Sequence, residues 1–159
     1  MDAGESDTMK TTEEISNSQD ILDSRDVIAR IEYLQDERAA LADRLEELQG
    51  DEVTNHVSEI AEAEAALDEW DASEEGAELK SLQSFAEEAE GYCSDWKHGE
   101  ALIRDSHFEE YAQQLAEDIG AIPDDAKWPC DCIDWEKAAS ELRMDYTAVS
   151  FGKVTYWTR

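Results

Sequence analysis

Apolar residues recur at alternating steps of four and three along the first half of the chain. A heptad series of this kind predicts an amphipathic helix suited to coiled-coil packing. Arg38 occupies the one position that breaks the series, and Gly50 ends it. The members of the series are Val27, Ile31, Leu34, Leu41, Leu45 and Leu48.

The same spacing resumes directly after Gly50, in Val53, Val57, Ile60 and Leu67, with Glu64 at the interrupted position. Because the link between the two series is short, we expect the two helices to form an antiparallel hairpin. A third helix is predicted after Gly76, with Leu79, Leu82, Ala86 and Ala89 on one face. Since one hairpin has a thin core, we expect it to dock on the rest of the chain or on a second copy, as a homodimer.

The last third of the chain carries local signals for two short helices and two strands. Ser106 and Glu109 match a capping box before a helix that ends at Gly120. A loop over 121–132, anchored by Trp128, leads to a second helix capped by Asp134. The Thr-, Val- and Tyr-rich end around Gly152 predicts a β-hairpin with a two-residue turn.

Charge separates the chain into three parts. Residues 1–24 are polar and lack an apolar period, which predicts a disordered acidic tail that becomes ordered near Ile21 and Leu22. Residues 25–90, the coiled-coil hairpin and third helix, carry 21 acidic and 5 basic residues, and residues 91–159 hold most of the aromatics. The predicted fold class is therefore α+β and mostly α, with an acidic N-terminal helical hairpin before a small C-terminal α+β domain.

The overall balance of charge excludes several functions. With 13 basic and 42 acidic residues, the formal net charge is −29. Such a chain repels the phosphates of nucleic acids and of anionic membranes, so its natural partner is a basic protein surface. No apolar run is long enough to cross a membrane, and three cysteines, an odd number, favour a reducing cytoplasm over a disulfide framework.

The sequence offers weak candidates for chemistry. Cys130 and Cys132 are separated by one residue, whereas structural zinc sites space paired cysteines by two to four, and His98 and His107 are not paired either. The acidic runs lack the alternating ligands and central glycine of a calcium loop. No phosphate-binding loop, nucleophile elbow or zinc-protease motif is present. We therefore expect no enzyme activity, no cofactor and no dedicated metal site.

The density of carboxylates in the hairpin is close to that of phosphates on DNA. Two helices of about 23 residues span about 35 Å at 1.5 Å per residue. A duplex of that length displays about 20 charges at one per 1.7 Å, against the 21 acidic residues of 25–90, which comprise the hairpin and the third helix. This match predicts carboxylates that substitute for phosphates; the candidates are Glu46, Glu47, Glu59, Glu62, Glu64, Asp68 and Glu69.

Two segments of the last third resemble a known family. They are residues 111–122, YAQQLAEDIGAI, and residues 132–146, CIDWEKAASELRMDY, followed by the closing β segment through Trp157. Together they resemble the C-terminal part of the ArdA-type antirestriction proteins, over about residues 106–159. Residues 1–90 do not look like the N-terminal domains of that family.

The resemblance implies a phage- or plasmid-type inhibitor, dimeric and DNA-like, that occupies the DNA-binding groove of type I restriction-modification enzymes in the host bacterial cytoplasm. By position, the matching acidic residues are Glu109, Glu110, Glu117, Asp118, Glu136, Glu141 and Asp145, with Asp134 also acting as a helix cap. Because the N-terminal part departs from the family, a CRISPR nuclease is an alternative target. Two further alternatives are a non-catalytic acidic coiled-coil scaffold and a mimic that titrates a transcription-associated protein.

Overall fold

The computed structural model describes residues 13–53 and 55–159. Its first three helices are α1, Ser24–Gly50, α2, Val57–Ala72, and α3, Glu74–Glu90. Together with two shorter helices described below they make the described chain mostly helical, and with the sheet they confirm the predicted α+β class. The chain divides into two compact units, one containing the described residues up to Ser16 and Asp26–Ser84, the other Asn17–Arg25 and Phe85–Arg159.

The heptad series of α1 is buried in part. Val27, Leu34 and Leu48 are buried, whereas Ile31, Leu41 and Leu45 are half-buried. The third helix follows the prediction closely, with Leu79, Leu82 and Ala89 buried and Ala86 half-buried. These apolar side chains bury surface that would otherwise contact water, which is the main driving force for packing amphipathic helices.

The apolar stripe of α2 differs from the predicted one. Val53 and Val57 are 95% and 65% exposed, so neither belongs to a packed seam. Instead, the half-buried positions follow a step pattern of three, four and three through Ile60, Ala63, Leu67 and Trp70. Glu64 is exposed because this register runs through Ala63, one position earlier, and brings the large side chain of Trp70 onto the stripe.

A single residue, Ser73, joins α2 to α3. Its amide donates to the carbonyl of Trp70 at 3.0 Å, and its hydroxyl accepts from the amide of Gly76 at 3.3 Å, which caps the start of α3. The sharp corner brings two backbone segments together at Gly76. A Cβ at that position would lie 2.5 Å from the carbonyl oxygens of both Trp70 and Asp71.

We therefore expect Gly76→Ala to lower the free energy of unfolding by about 1–3 kcal/mol, the usual cost of overpacking. The new methyl group would clash with backbone carbonyl oxygens, which cannot move aside as a flexible side chain could. Gly50→Ala is the matched control, since a Cβ there meets no atom within 4 Å and alanine favours helix. Urea unfolding of both variants measures the difference. Equal stability of the two variants would contradict the close approach at this corner.

The second unit is built on a four-stranded antiparallel sheet. Its strands are β1, Ile21–Asp23, β2, Ala101–Arg104, β3, Thr147–Phe151, and β4, Val154–Thr158, in the order β1-β2-β4-β3. The predicted hairpin forms between β3 and β4, with Phe151 opposite Val154. Gly152 supplies the positive φ of 64° that the first position of a II′-type turn requires.

Part of the predicted disordered tail is ordered. Residues 1–12 lie outside the described residues, but Ile15 and Leu22 are buried and Leu22 pairs with Leu102 in the sheet. Ser24 fixes this strand to the start of β2, because its amide donates to Glu100 at 2.9 Å and its hydroxyl accepts from the Glu100 amide at 2.7 Å. The segment folds because a distant strand supplies its hydrogen bonds.

Side chains cover both faces of this sheet. On one face, Phe85 stacks on Phe151 at 4.7 Å and lies 5.8 Å from Tyr156, centroid to centroid. On the other face, α4, Phe108–Asp118, and α5, Trp135–Arg143, pack around a core of Ile103, Phe108, Ala112 and Ala139, against which Trp157 also packs. Because Tyr156 and Trp157 are neighbours in β4, they point to opposite faces.

The predicted end signals of the two short helices have mixed outcomes. The capping box does not form: α4 begins at Phe108 after a 3₁₀ turn, and the hydroxyl of Ser106 accepts from Arg104 instead. Gly120 follows α4 with a φ of 77°, and Asp134 caps α5 by accepting from the amide of Lys137 at 3.1 Å, as predicted. Trp128 is 78% exposed and does not anchor its loop.

Candidate partner-binding surface

Helix α2 is the most acidic element of the described chain. Its sixteen residues contain six acidic and no basic side chains. Five of the six are exposed: Glu59, Glu62, Glu64, Asp68 and Glu69, all of them candidates from the sequence. No residue of α2 is fully buried, so this helix presents its charge along its whole length.

The carboxylates of α2 flank its apolar stripe. At 100° per residue, Glu62 and Glu69 lie on one side of the stripe, and Glu64 and Asp68 lie on the other. Glu62 and Glu69 are seven residues apart, a rise of about 10.5 Å along the helix. The helix thus carries two acidic edges that follow its axis.

Helix α1 displays a further acidic row that the prediction missed. Glu32, Asp36, Asp43 and Glu47 are all exposed and lie within about 60° of one another on the side opposite the apolar series. Of these, Glu47 was a candidate, as was the neighbouring exposed Glu46. The signal was present in the sequence as the spacing of four, seven and four residues, which complements the apolar heptad.

Two arginines of α1 are paired with carboxylates of the neighbouring helices, Arg30 in the interior and Arg38 at the surface. The guanidinium of Arg30 binds Glu78 through two contacts of 2.8 Å, and both side chains are less than 10% exposed. Arg38 binds Asp71 through contacts of 2.7 and 3.0 Å, which explains how a charged residue fits at a heptad position. The hydrogen bonds from Arg38 lower the pKa of Asp71.

Glu37 of α1 and Glu75 of α3 influence each other's pKa. Hydrogen bonds from Glu75, Tyr33 and Trp70 to Glu37 lower the pKa of Glu37, while the bond to Glu37 raises the pKa of Glu75. The opposite directions of the two shifts show that the two carboxyl groups titrate at different pH values.

The second unit exposes its candidate carboxylates on α4. Glu110 and Glu117 lie on the outer face, opposite the buried Phe108 and Ala112, and are again seven residues apart. Glu109 and Asp118 lie on the two flanks and are exposed as well. Glu110 lies 3.2 Å from Nδ1 of His107, and Asp118 accepts a hydrogen bond from Gln114 at 3.0 Å.

The remaining candidates, Glu136 and Glu141 on α5 and Asp145 after it, are exposed too. All fourteen candidate carboxylates are therefore exposed, but they are distributed over several helices and do not form one cluster. Among the described residues, ion pairs reach only Glu59 and Glu110 of the fourteen, each with a histidine. Within the same described ranges, the other twelve carry no such compensation.

The cysteines do not form a metal site in the described part of the chain. All three are free, and no group of three or more His, Cys, Asp or Glu side chains that could hold an ion occurs among the described residues. Cys93 is buried with its Sγ 3.2 Å from the hydroxyl of Thr158, and burial raises the pKa of its thiol. This environment is typical of an inert core cysteine.

An open groove of about 610 Å³ lies between α1, α3 and the end of α2. Alanines, Leu79 and Trp70 line it together with Arg38, Asp43, Asp71 and Lys80. The two cations balance the two carboxylates, so the groove is a locally neutral feature of a strongly acidic unit.

Comparisons with known proteins leave the chain without an identified relative. No family model, no curated protein and no solved structure matched it. The ArdA-type resemblance of residues 106–159 therefore stays a prediction. In the described part of the chain, no helix combines the length and the apolar character needed to cross a bilayer.

Proposed function

We propose that this protein is a DNA-mimic inhibitor that occupies the DNA-binding groove of a type I restriction-modification enzyme in the host bacterial cytoplasm. It acts by stoichiometric binding, without a catalytic centre or cofactor. Its exposed carboxylates contact the lysines and arginines that otherwise hold phosphates. DNA is excluded because both ligands need the same basic groups.

One observation carries this proposal. All fourteen candidate carboxylates are exposed, while Arg30 and Arg38 are bound by acidic side chains inside the first unit. These two cations are therefore already paired with carboxylates, Arg30 in the interior and Arg38 at the surface, and do not offset the exposed candidates. The outer faces of the helices keep a dense negative charge, which attracts a basic groove and accelerates association.

The spacing of these carboxylates supports the same function. The pairs Glu62–Glu69 and Glu110–Glu117 each rise about 10.5 Å along a helix. Three successive steps along one DNA strand rise about 10 Å at 3.4 Å each. The axial rise between paired carboxylates is therefore close to that of three phosphate steps.

A competition assay tests the proposal. A type I restriction enzyme bound to labelled duplex DNA is titrated with the protein at about 50 and about 200 mM salt. We expect displacement near stoichiometric amounts and a clear loss of affinity at the higher salt. Polyglutamate of the same total charge is the control, because it reproduces the charge without the helical arrangement.

The outcomes separate the alternatives. Absence of displacement at low salt, or equal displacement by polyglutamate, would overturn the type I target. Displacement of DNA from a CRISPR nuclease but not from the type I enzyme would reassign the target and keep the mimicry. A partner bound with no salt dependence would favour the acidic scaffold, because phosphate substitution requires charge contacts.

A further inference from the structure

The tip of the helical hairpin contains a histidine held between two carboxylates. Nε2 of His56 lies 2.8 Å from Oδ2 of Asp51, which directly follows α1. Its Nδ1 lies 3.3 Å from Oε2 of Glu59, in the first turn of α2. The imidazole ring therefore links the end of one helix to the start of the next.

The two carboxylates favour one charge state of the ring. A neutral imidazole has one N–H, which the contact between Nε2 and Asp51 uses. The imidazolium adds a positive charge, and its Nδ1, which has no hydrogen-bond partner among the described residues, then forms an ion pair with Glu59 at 3.3 Å. These two carboxylates are the charged groups that the ring meets among the described residues.

Asp51 also orders the backbone of the connecting loop. Its second carboxylate oxygen, Oδ1, accepts from the amide of Val53 at 2.9 Å. The carbonyl of His56 accepts from the amide of Ile60 at 2.7 Å, which ties the histidine to the first turn of α2. The charge of the imidazole ring therefore affects residues at both ends of the loop. The side chain of Val53 is 95% exposed, so packing contributes little to holding this residue in place.

We propose that His56 is a pH-operated clasp, closed when its ring is protonated and open when it is neutral, which controls the order of the hairpin tip. This device is independent of the proposed inhibitor function. Closing the clasp fixes the loop and partly neutralises Glu59. Opening it frees the loop and restores the full charge of both carboxylates.

The direction of the pH dependence follows from the pKa of His56, which the contacts with Asp51 and then with Glu59 raise above its usual value. A group with a raised pKa contributes its stabilisation fully below the unfolded pKa of about 6.5. That contribution is lost as the pH rises through the folded pKa. The clasp is therefore closed below the pH at which His56 titrates in the folded protein and opens above it.

The test is an NMR titration of the full chain. The Cε1–H resonance of His56, assigned by its loss in His56→Gln, is followed with pH in the native and in the urea-unfolded protein. We expect a higher midpoint in the native protein and a lower one in Glu59→Gln and in Asp51→Asn. Glu62→Gln, which removes an exposed carboxylate one turn further along α2, serves as the control and leaves the midpoint nearly unchanged.

Amide exchange gives the second readout. Protection of the Val53 amide is expected to fall as the pH rises through the His56 midpoint, after correction for intrinsic exchange, and to be low at every pH in His56→Gln. A native midpoint equal to the unfolded one would overturn the proposal. Identical protection of Val53 in the wild type and in His56→Gln would do so as well.

Discussion

Replacing Glu78 by glutamine is expected to lower the free energy of unfolding by about 3–5 kcal/mol, because it removes the carboxylate that binds the buried guanidinium of Arg30. Both side chains are less than 10% exposed, and both contacts between them measure 2.8 Å. Glu78 also accepts from the amide of Ile15 at 3.1 Å. One carboxylate therefore satisfies three donor groups from two other parts of the same unit.

The control for this variant is Glu87→Gln, which removes an exposed carboxylate from the same helix and is expected to change stability by less than about 0.5 kcal/mol. Adding Arg30→Met to Glu78→Gln also removes the buried guanidinium. The loss in free energy of unfolding of the double variant is therefore expected to be smaller than the sum of the losses in the two single variants. Urea unfolding followed by circular dichroism measures all of these proteins. Additive effects would show that the pair is not coupled.

Much of the helical architecture was predictable because its signals are local. The apolar period of α1, the break at Gly50 and the period of α3 depend on residues within a few turns of one another. The same holds for the Gly152 turn and for the Asp134 cap, whose geometry is decided by neighbouring backbone atoms. Interactions between side chains three or four residues apart produce patterns that can be recognised in the sequence.

The parts that were missed depend on contacts between distant residues. The strand Ile21–Asp23 has three residues and no alternation of its own, and it forms because Ala101–Ile103 supply its hydrogen bonds. Arg38 interrupts the heptad pattern, yet it fits because Asp71, thirty-three residues away, receives its guanidinium. The sequence around the strand or around Arg38 contains no signal that identifies the distant partner.

The sequence predicted which carboxylates are exposed, but it did not predict how those of α2 are arranged around the helix. Exposure of all fourteen carboxylates follows from their cost of burial, since unpaired charges are almost never buried. The sequence alone did not show that the stripe of α2 runs through Ala63 and Trp70. That register decides on which side each carboxylate lies, and it depends on the groove that Trp70 lines together with residues of α1 and α3.

Neutralising the acidic edges of α2 is expected to weaken binding to the restriction enzyme about a thousandfold. The variant combines Glu62→Gln, Glu64→Gln, Asp68→Asn and Glu69→Gln, all at exposed positions. At about 1 kcal/mol for each lost charge contact, four substitutions remove about 4 kcal/mol, and each 1.4 kcal/mol is a factor of ten. The salt dependence of binding is expected to decrease as well, because fewer charge contacts remain.

Stability distinguishes this effect from a loss of folding. Glu64 and Asp68 are four residues apart on one helix, where like charges repel, so their neutralisation is expected to leave α2 as stable as before or slightly more stable. Ala61→Gln with Ala65→Gln is the matched control, since it adds amides at exposed positions of the same helix without removing charge. Wild-type affinity in the neutralised variant would show that α2 does not contact the partner. Equal weakening by the control would assign the loss to shape, because that variant keeps every carboxylate of α2.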